Sequence, residues 1–361
     1  YDNDGDIDLF LGWTVVPWKY GLSPKSYLLE NDGQGNYTDV TMAKAEALQD
    51  VGMVTEAVWA DVDSNGKLDL VVVGEWMPIK IFVNKDTELV DATKSYGLSS
   101  SAGLWNTIIS DDFDNDGDID FVVGNYGLNS KLDASEENPL TLLLKDFDNN
   151  DKTDPIIGTP KGGKLYPLAT LDELTSQMPH LRKKFPEYAQ FSGKTIADVF
   201  TPDELKRATE KIVNWMASTY LENVDGKSFK INKLPNEVQF APIYAMVSHD
   251  FDADGHPDII LGGNMYTVNP NLGRHDASQG WYLKGKGDGT FQVQYAVESG
   301  FRSKGEIRDI EVFNAEGDGP RLAVARNNDS LQFFKLRGVE LDLNIKEFEK
   351  ALKMSSSIFP L

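Results

Sequence analysis

The sequence contains no cysteine among its 361 residues and only four histidines. Disulfide bonds within the chain are therefore excluded, and zinc sites built on Cys or His ligands are disfavoured. No apolar stretch approaches the 18 or more residues of a membrane-spanning helix. Acidic residues outnumber basic ones by 57 to 35, and the basic run Arg182-Lys183-Lys184 is typical of the end of a helix. The composition argues against a nucleic-acid-binding protein.

Motifs that carry catalysis are also missing. The sequence has no G-x-S-x-G elbow, no H-E-x-x-H and no phosphate-binding P-loop. Two of the histidines, His249 and His256, adjoin acidic loops, which does not make either of them a general base. Pairs of Asp residues are abundant, but the loops described next account for their spacing better than a glycosidase does. We expect a protein that is not an enzyme.

What the sequence does contain is an acidic loop, D-x-D-x-D/N-G-x-x-D, that recurs five times and each time runs into a short apolar segment. Four copies are complete: Asp61–Asp69, Asp112–Asp120, Asp146–Asp154 and Asp250–Asp258. The chain opens inside the fifth copy, with Tyr1 at loop position 2. We therefore expect this chain to be a fragment whose first loop lacks a ligand that lies upstream.

The spacing of the loop suits a hard cation. Oxygen ligands at positions 1, 3, 5 and 9, a backbone carbonyl near position 7 and Gly at position 6 can wrap an ion that takes six to eight oxygens, which is typical of calcium. The predicted side-chain ligands are Asp2, Asp4 and Asp8; Asp61, Asp63, Asn65 and Asp69; Asp112, Asp114, Asp116 and Asp120; Asp146, Asp148, Asn150 and Asp154; and Asp250, Asp252, Asp254 and Asp258. An EF-hand would need a helix on each side and Glu at position 12, whereas these loops continue into β-branched runs.

The repeat predicts the architecture. Runs such as Leu70–Gly74 and Phe121–Gly124 read as buried strands, and the turns Asn31–Tyr37, Asn223–Phe229 and Lys286–Phe291 read as hairpins. The separation between most of the loops suits one four-stranded sheet per repeat, with the hairpins as its outer strands. Radial repetition of such sheets gives a β-propeller. The predicted fold is all-β: a propeller of four-stranded blades with calcium-binding loops and a small helical insertion.

Over residues 1 to about 335 the loops and strands resemble the VCBS/FG-GAP repeat proteins, whose blades resemble those of integrin α-subunit propellers. The chain looks most like the large surface-associated members from Bacteroidetes-type bacteria. The resemblance implies calcium at the loop positions named above. Two positions depart from the pattern: Asp151 replaces Gly at position 6 of the fourth loop, and a degenerate sixth loop around Glu316 has Leu322 where its last Asp belongs.

We divide the chain into a propeller over residues 1–337, a helical insertion within it over 159–217, and a C-terminal tail over 338–361. In the insertion, Thr201 is predicted to cap a helix with Glu204 at N3 and Pro202 at N1. The helix is expected to carry an apolar stripe of Leu205, Ala208, Ile212 and Trp215. Shorter helices are expected at Leu171–Met178 and Leu181–Phe185, and another in the tail around Ile345–Met354.

Strand direction predicts a second site. The strand that follows each loop runs away from it, so the residues after the strand emerge on the opposite face. The candidates for ligand binding there are Trp13, Trp76, Tyr126 and Tyr266. Such aromatic side chains suit a sugar or peptide surface. The alternative is that they are plugs between blades.

The function that these observations favour is a calcium-stabilised, non-catalytic binding or scaffolding module, with a role as one component of a larger envelope assembly as its candidate setting. The alternatives are a carbohydrate-binding protein and an accessory domain of a larger enzyme. Many weak calcium sites need the calcium concentration found outside cells. We therefore expect an extracellular or cell-surface location, on the exterior face of a bacterial outer membrane, and a protein or glycan partner.

Overall fold

The computed structural model describes residues 1–315 and 319–337, whose regular structure is mainly β-strand. The strands are β1 (Leu9–Leu11), β2 (Tyr27–Asn31), β3 (Tyr37–Asp39), β4 (Met53–Ala60), β5 (Asp69–Met77), β6 (Lys80–Lys85), β7 (Glu88–Asp91), β8 (Gly103–Leu104), β9 (Thr107–Asp111), β10 (Asp120–Gly124), β11 (Leu140–Lys145), β12 (Asp154–Lys161), β13 (Lys164–Pro167), β14 (Thr209–Val213), β15 (Thr219–Val224), β16 (Ser228–Lys233), β17 (Ile243–His249), β18 (Asp258–Gly263), β19 (Trp281–Gly285), β20 (Phe291–Gln294), β21 (Ile307–Ala315), β22 (Gly319–Arg326) and β23 (Gln332–Lys335).

The helices are short. They are α1 (Thr41–Lys44), α2 (Leu171–Gln177), α3 (Leu181–Lys184), α4 (Tyr188–Phe191), α5 (Ile196–Val199), α6 (Pro202–Leu205) and α7 (Ala296–Ser299), with 3₁₀ turns at Glu46–Leu48 and Asn236–Phe240. Within the described ranges, no helix has the length and apolar character needed to cross a bilayer.

The strands form six sheets with antiparallel pairing between neighbouring strands. We number them in chain order: sheet 1 is β1-β2-β3, sheet 2 is β4-β5-β6-β7 with β8 on β5, sheet 3 is β9-β10-β15-β16, sheet 4 is β14-β11-β12-β13, sheet 5 is β17-β18-β19-β20, and sheet 6 is β21-β22-β23. The predicted all-β class is confirmed. Each sheet is open, and none closes on itself among the described residues.

The predicted local elements are largely present. The three turns join β2 to β3, β15 to β16 and β19 to β20 as antiparallel hairpins. The apolar run after each of three loops is the second strand of its sheet: β5, β10 and β18. These strands are buried along almost their whole length, which is why their sequences are continuous apolar runs and do not alternate.

Alternation along these second strands packs one sheet on the next. In β5, Leu70 and Val72 join Leu28 in a cluster between sheets 1 and 2, while Val71 and Val73 face sheet 3. In β10, Phe121 and Val123 point back to sheet 2 and Val122 points to sheet 5. In β18, Ile259 packs on sheet 3 and Ile260 on sheet 6. Each such side chain contributes roughly 1.5–3 kcal/mol by burial. Sheets 1, 2, 3, 5 and 6 thus form a packed succession.

Sheet 4 stands outside this succession, which differs from the sequence expectation. The chain leaves sheet 3 at Gly124, forms sheet 4 and helices α2–α6, and re-enters sheet 3 at Thr219. We call this segment the excursion. The expected insertion at 159–217 therefore contains the five helices, but the excursion begins well before Thr159. The reason is non-local pairing: β15 pairs with β10, and the Asn223 N–H donates to Asp120 Oδ1 at 2.8 Å. The loop Asp146–Asp154 consequently belongs to the excursion.

The helix predicted from Thr201 was wrong in length. The capping box of Thr201 and Glu204, with Pro202 at the first position, is confirmed. The helix nevertheless ends at Leu205, and Ile212 lies in β14, where it pairs with Thr141. The stripe Leu205, Ala208, Ile212 and Trp215 is therefore not a helix face, because pairing with the edge of β11 overrides the helical spacing.

The two shorter predicted helices are confirmed as α2 and α3. The core of the degenerate sixth loop, at 316–318, and the tail with its expected helix lie outside the described residues.

Asn125 ties the excursion to sheet 3. Its side chain is fully buried, its Oδ1 accepts the Leu104 N–H at 3.2 Å, and its Nδ2 donates to the Trp215 carbonyl at 3.0 Å. Its own N–H donates to Ser218 Oγ at 3.0 Å. The amide thus satisfies backbone groups of both the strand β8 and the returning chain.

Asn125→Ala should lower the free energy of unfolding by about 2–3 kcal/mol, because it leaves buried backbone groups of two segments unpaired. The measurement is the urea midpoint at constant m-value. Asn138→Ala, at an exposed site whose side chain makes no hydrogen bond among the described residues, is the control and should stay within about 0.5 kcal/mol. Equal effects of the two substitutions would show that the buried amide does not hold the excursion in place.

Candidate metal centres

The backbone of the acidic loops adopts a repeated left-handed geometry. At position 6, Gly66, Gly117 and Gly255 have φ of 83, 95 and 88°, and Asp151 adopts φ 63° in their place. Position 4 is also left-handed, which sequence reasoning missed: Asn3, Ser64, Asn115, Asn149 and Ala253 have φ between 57 and 64°. Asn at three of these five sites was the available signal, because Asn tolerates this region better than most residues.

The position 1 carboxylate closes each loop. Asp61 Oδ1 accepts the Asn65 N–H at 2.9 Å, and its Oδ2 accepts the Gly66 N–H at 2.7 Å. Asp112, Asp146 and Asp250 repeat this pair of bonds. The position 5 side chains Asn65, Asp116, Asn150 and Asp254 each accept the N–H two residues ahead. The backbone donors thus hold the loop around its own carboxylates.

The position 9 carboxylate anchors each loop to the rest of its sheet. Asp69 is fully buried; its Oδ2 accepts the Val62 N–H at 2.9 Å and its Oδ1 accepts the Asn84 N–H at 2.7 Å. The same two-sided pattern recurs at Asp8, Asp120 and Asp258. At Asp154 the second donor is the Gln177 amide of α2, at 2.9 Å.

Burial of these carboxylates is costly without a cation. It raises the pKa of Asp69 to about 6 and that of Asp120 to about 7, against the lowering effect of the hydrogen bonds that each accepts. Burial is likewise the main cause of the raised pKa of Asp258. In Asp114, burial and the neighbouring Asp116 both raise the pKa. The loops therefore concentrate negative charge that an ion would stabilise.

Four groups of carboxylates converge closely enough to hold a metal ion. In each group one oxygen per residue lies within 4.8 Å of the others: Asp61, Asp63 and Asp69; Asp112, Asp114 and Asp120; Asp146, Asp148 and Asp154; and Asp250, Asp252 and Asp254. The first three groups are positions 1, 3 and 9, as the sequence predicts. Asp2, Asp4 and Asp8 do not form such a group among the described residues, and Asp258 lies outside the group in its loop.

The donor set fits a hard divalent ion such as calcium. Every side-chain donor is a carboxylate or amide oxygen, the ligand type that calcium prefers. The position 3 oxygens Asp63 Oδ1 and Asp148 Oδ1 are buried and have no hydrogen-bond partner in the described part of the chain. Buried polar atoms are rarely left unpaired. Residues at positions 1, 3, 5 and 9 would hold the ion, which would supply the positively charged partner that the unpaired oxygens lack.

A cavity lies at the other end of the strands. Its volume is about 460 Å³, and Trp76, Tyr126, Tyr20, Glu75 and Tyr244 are among its lining residues. Because β5 runs from Asp69 to Met77, the cavity is separated from the metal loop of sheet 2 by roughly 20 Å of strand. Residues at or just after the ends of β5, β10 and β18 line the cavity together with residues of sheet 4.

The structure brings two of the four predicted aromatic residues together. Trp76 and Tyr126 line the cavity and are 5% and 9% exposed. Trp13 does not line it and is 56% exposed. Tyr266 packs under the Arg274 guanidinium, 3.5 Å from its ring centroid. Sequence reasoning did not identify Glu75, although it directly precedes Trp76, because only the fold shows that its carboxylate lies in the cavity wall.

Residues 1–72 and 61–123 each match the family model of the FG-GAP-like repeat. This chain is an FG-GAP/VCBS-type repeat protein. The matched residues contain the first three acidic loops. No curated protein matches the chain.

Two solved structures resemble the FG-GAP/VCBS-type chain only distantly. One is a lectin from Agrocybe aegerita, described as recognising non-reducing terminal N-acetylglucosamine, with 15% identity, a TM-score of 0.29, and 92% of this chain and 80% of the lectin covered. The other is the V. cholerae biofilm matrix protein Bap1, with 8% identity, a TM-score of 0.30, and 88% and 66% covered. Neither likeness is close enough to support an argument about this chain.

In this FG-GAP/VCBS-type protein, a lysine side chain from another strand contacts the acidic loop Asp250–Asp258. Lys284 Nζ of β19 contacts Asp252 and lies 2.9 Å from Asp254 Oδ2. These hydrogen bonds raise the pKa of Lys284 and lower that of Asp254. The ammonium group would therefore compete with a metal ion for the ligands at positions 3 and 5. The sequence gives no hint of this, because Lys284 lies 26 residues beyond the loop.

Asp63→Asn should have opposite effects with and without calcium. In excess chelator it should raise the melting temperature, because it removes one charge from a crowded loop. With calcium the substitution should lower the melting temperature. A loss of at least tenfold in the affinity of the loop for calcium removes about 1.4 kcal/mol of the stability that calcium binding provides. Asp225→Asn, on an 80% exposed side chain of a nearby turn, is the control and should change neither curve. A shift of the same sign in both conditions would contradict a metal site here.

Lys284→Met should lower the stability of the folded protein in the absence of calcium and increase the stabilisation that calcium provides. The substitution removes the only cation found against Asp252 and Asp254 among the described residues, and it frees both carboxylates for an ion. We expect about a tenfold gain in affinity at this loop, measured by calorimetric titration. Lys286→Met, on the adjoining hairpin turn, is the control. Unchanged calcium affinity in Lys284→Met would show that the ammonium does not compete.

Proposed function

We propose that this protein is a calcium-stabilised, non-catalytic binding or scaffolding module of β-propeller architecture that acts outside the cell. The observation that carries the proposal is the repeated convergence of carboxylates at loop positions 1, 3 and 9, with unpaired buried oxygens at position 3 of two loops. One such cluster would be an ordinary acidic turn. Recurrence in the same phase on successive sheets favours a common ion-binding design.

The propeller arrangement is supported by how the sheets meet. The first strands β4, β9, β17 and β21 contact one another in order, and the sheets pack face to face in the same succession. Contacts between first strands are expected where blades surround a common axis. Sheet 4 and its helices would then form an excursion at one end of that axis.

Calcium would act as a structural cross-link. The position 9 carboxylate already accepts one N–H from the loop and another from the following hairpin, as Asp120 does from Phe113 and Asn223. An ion on the same carboxylate joins three segments of a sheet at one point. Such links take the role that disulfide bonds have in many secreted proteins, which this cysteine-free chain cannot use.

The extracellular location follows from the metal. Loops of this type bind calcium at levels typical of the outside of cells. The finer assignment, to the exterior face of a bacterial outer membrane as part of an envelope assembly, rests on the resemblance to surface proteins. A catalytic role is not favoured, because the side-chain oxygens at positions 1, 5 and 9 accept hydrogen bonds from backbone donors within their own loops, as those of Asp61, Asn65 and Asp69 do.

Glycan binding is the second candidate, and one observation favours it. Trp18 is fully exposed and Trp13 is 56% exposed, both in the segment between β1 and β2. Exposed indole rings are suited to stacking on sugar rings. A glycan array would separate this candidate from protein scaffolding. The remaining alternative, an accessory domain of a larger enzyme, would be decided by the full reading frame.

Removal of calcium should lower the melting temperature markedly, and added calcium should restore it. Each site filled at 100 times its dissociation constant contributes about 2.7 kcal/mol to the stability of the folded state. The measurement is a thermal melt in chelator, in calcium, and in magnesium at the same ionic strength as a control. A melting curve that does not respond to chelator or to calcium would contradict the proposed function.

A further inference from the structure

The cavity at the end of the strands away from the metal loops has mainly apolar walls. Leu104, Leu132, Leu140, Ile157, Leu168 and Leu272 contribute to them. At about 460 Å³, the cavity lies within the range of about 300–1,000 Å³ that is usual for small-molecule sites. These residues come from sheet 2, sheet 4 and the segments beside them, so the cavity forms only in the folded chain. Its size and walls suit an organic ligand with an apolar body.

One carboxylate lies in this apolar wall. Glu75 Oε2 accepts a hydrogen bond from the Tyr20 hydroxyl at 2.7 Å, and that hydroxyl in turn accepts one from Trp76 Nε1 at 2.9 Å. Among the described residues, no Lys or Arg forms an ion pair with Glu75. Burial raises the pKa of Glu75, and the Tyr20 hydroxyl opposes this only in part. A half-buried carboxylate without a cationic partner would be stabilised by a cationic ligand.

One cationic side chain, Arg308, lies against the aromatic wall of the cavity but is engaged elsewhere. The Arg308 guanidinium lies 4.3 Å from the Tyr244 ring centroid and donates to Glu306 Oε1 at 2.9 Å. It therefore occupies one face of an aromatic ring of the cavity without pairing with Glu75. The carboxylate remains available to a cation that enters from the cavity.

Four aromatic residues line the same cavity as the carboxylate, and the hydroxyl of one of them, Tyr20, contacts it. Tyr20, Trp76, Tyr126 and Tyr244 all line the cavity, and aromatic faces attract cations by roughly 0.5–2 kcal/mol each. Trp76 is held at φ 56°, a left-handed conformation that is strained for a bulky side chain. Strain of this kind persists where the surroundings fix it, often at binding sites. Here it fixes the indole beside Glu75.

An unpaired polar atom completes the site. Asn106 lines the cavity, and its Nδ2 is buried with no acceptor among the described residues. A ligand that carries an oxygen acceptor besides its cationic nitrogen would satisfy both this donor and Glu75.

We propose that this cavity binds an organic ammonium compound, with the cationic nitrogen paired to Glu75 among the aromatic rings and the apolar body against the leucine walls. This assignment rests on the proposed binding role but uses none of the metal-loop residues. It gives that role a ligand class: alkyl or aryl ammonium ions, in preference to neutral or anionic compounds of the same shape.

The test compares 2-phenylethylammonium with 2-phenylethanol on the calcium-loaded full chain, by titration calorimetry and indole fluorescence. We expect the ammonium ion to bind at least tenfold more tightly than the alcohol. Glu75→Gln should abolish this preference, since it removes the charge but keeps an oxygen that can accept from Tyr20. Glu88→Gln, on the exposed face of β7, is the matched control and should retain it.

The outcomes are separable. Equal or tighter binding of the alcohol to the wild-type protein, no binding of either compound, or an unchanged preference in Glu75→Gln would overturn the ligand assignment. The comparison of the two compounds on the wild-type chain decides the matter even if the variant does not fold. Calcium-dependent melting, measured in the same samples, tests the proposed function separately, because the ammonium ion does not contact the loops.

Discussion

The buried carboxylate at position 9 of each acidic loop is the interaction on which the fold depends most. It is the point where a loop and the strand after it are joined by hydrogen bonds to a later segment: a hairpin residue such as Asn84 in the case of Asp69, and Gln177 of α2 in the case of Asp154. In three of the loops, at Asp69, Asp120 and Asp258, burial also raises the pKa of this carboxylate. If a cation completes this anchor, the concentration of acidic residues in the loops of a strongly acidic chain is explained.

The second strands separate two kinds of chemistry. β5 begins at a carboxylate-rich loop, and near its other end Glu75 and Trp76 line an apolar, aromatic cavity. Between them the strand is buried on both faces and packs its neighbours through alternate side chains. Changes at the loops can therefore alter stability without touching the cavity, and the cavity residues can vary without disturbing the loops.

The sequence was sufficient for features set by local spacing. Ion coordination demands fixed positions, so the loops were identifiable from Asp61–Asp69 and its copies, and capping boxes such as Thr201 with Glu204 are equally local. Features that depend on distant segments were not predictable. The hairpin at Asn223 belongs to β10 across the whole excursion, Lys284 reaches a loop that precedes it, and Ile212 is a strand residue because β11 offers it an edge.

The most direct measurement is a crystal structure of the calcium-loaded protein with anomalous data that identify the ion. The account predicts calcium at the loops Asp61–Asp69, Asp112–Asp120 and Asp146–Asp154, about 2.3–2.6 Å from carboxylate oxygens at positions 1, 3 and 9. It also predicts weaker or no occupancy at Asp250–Asp258, where Lys284 lies against the ligands. Loops that keep the same closed geometry at saturating calcium, with no ion at any of them, would contradict it.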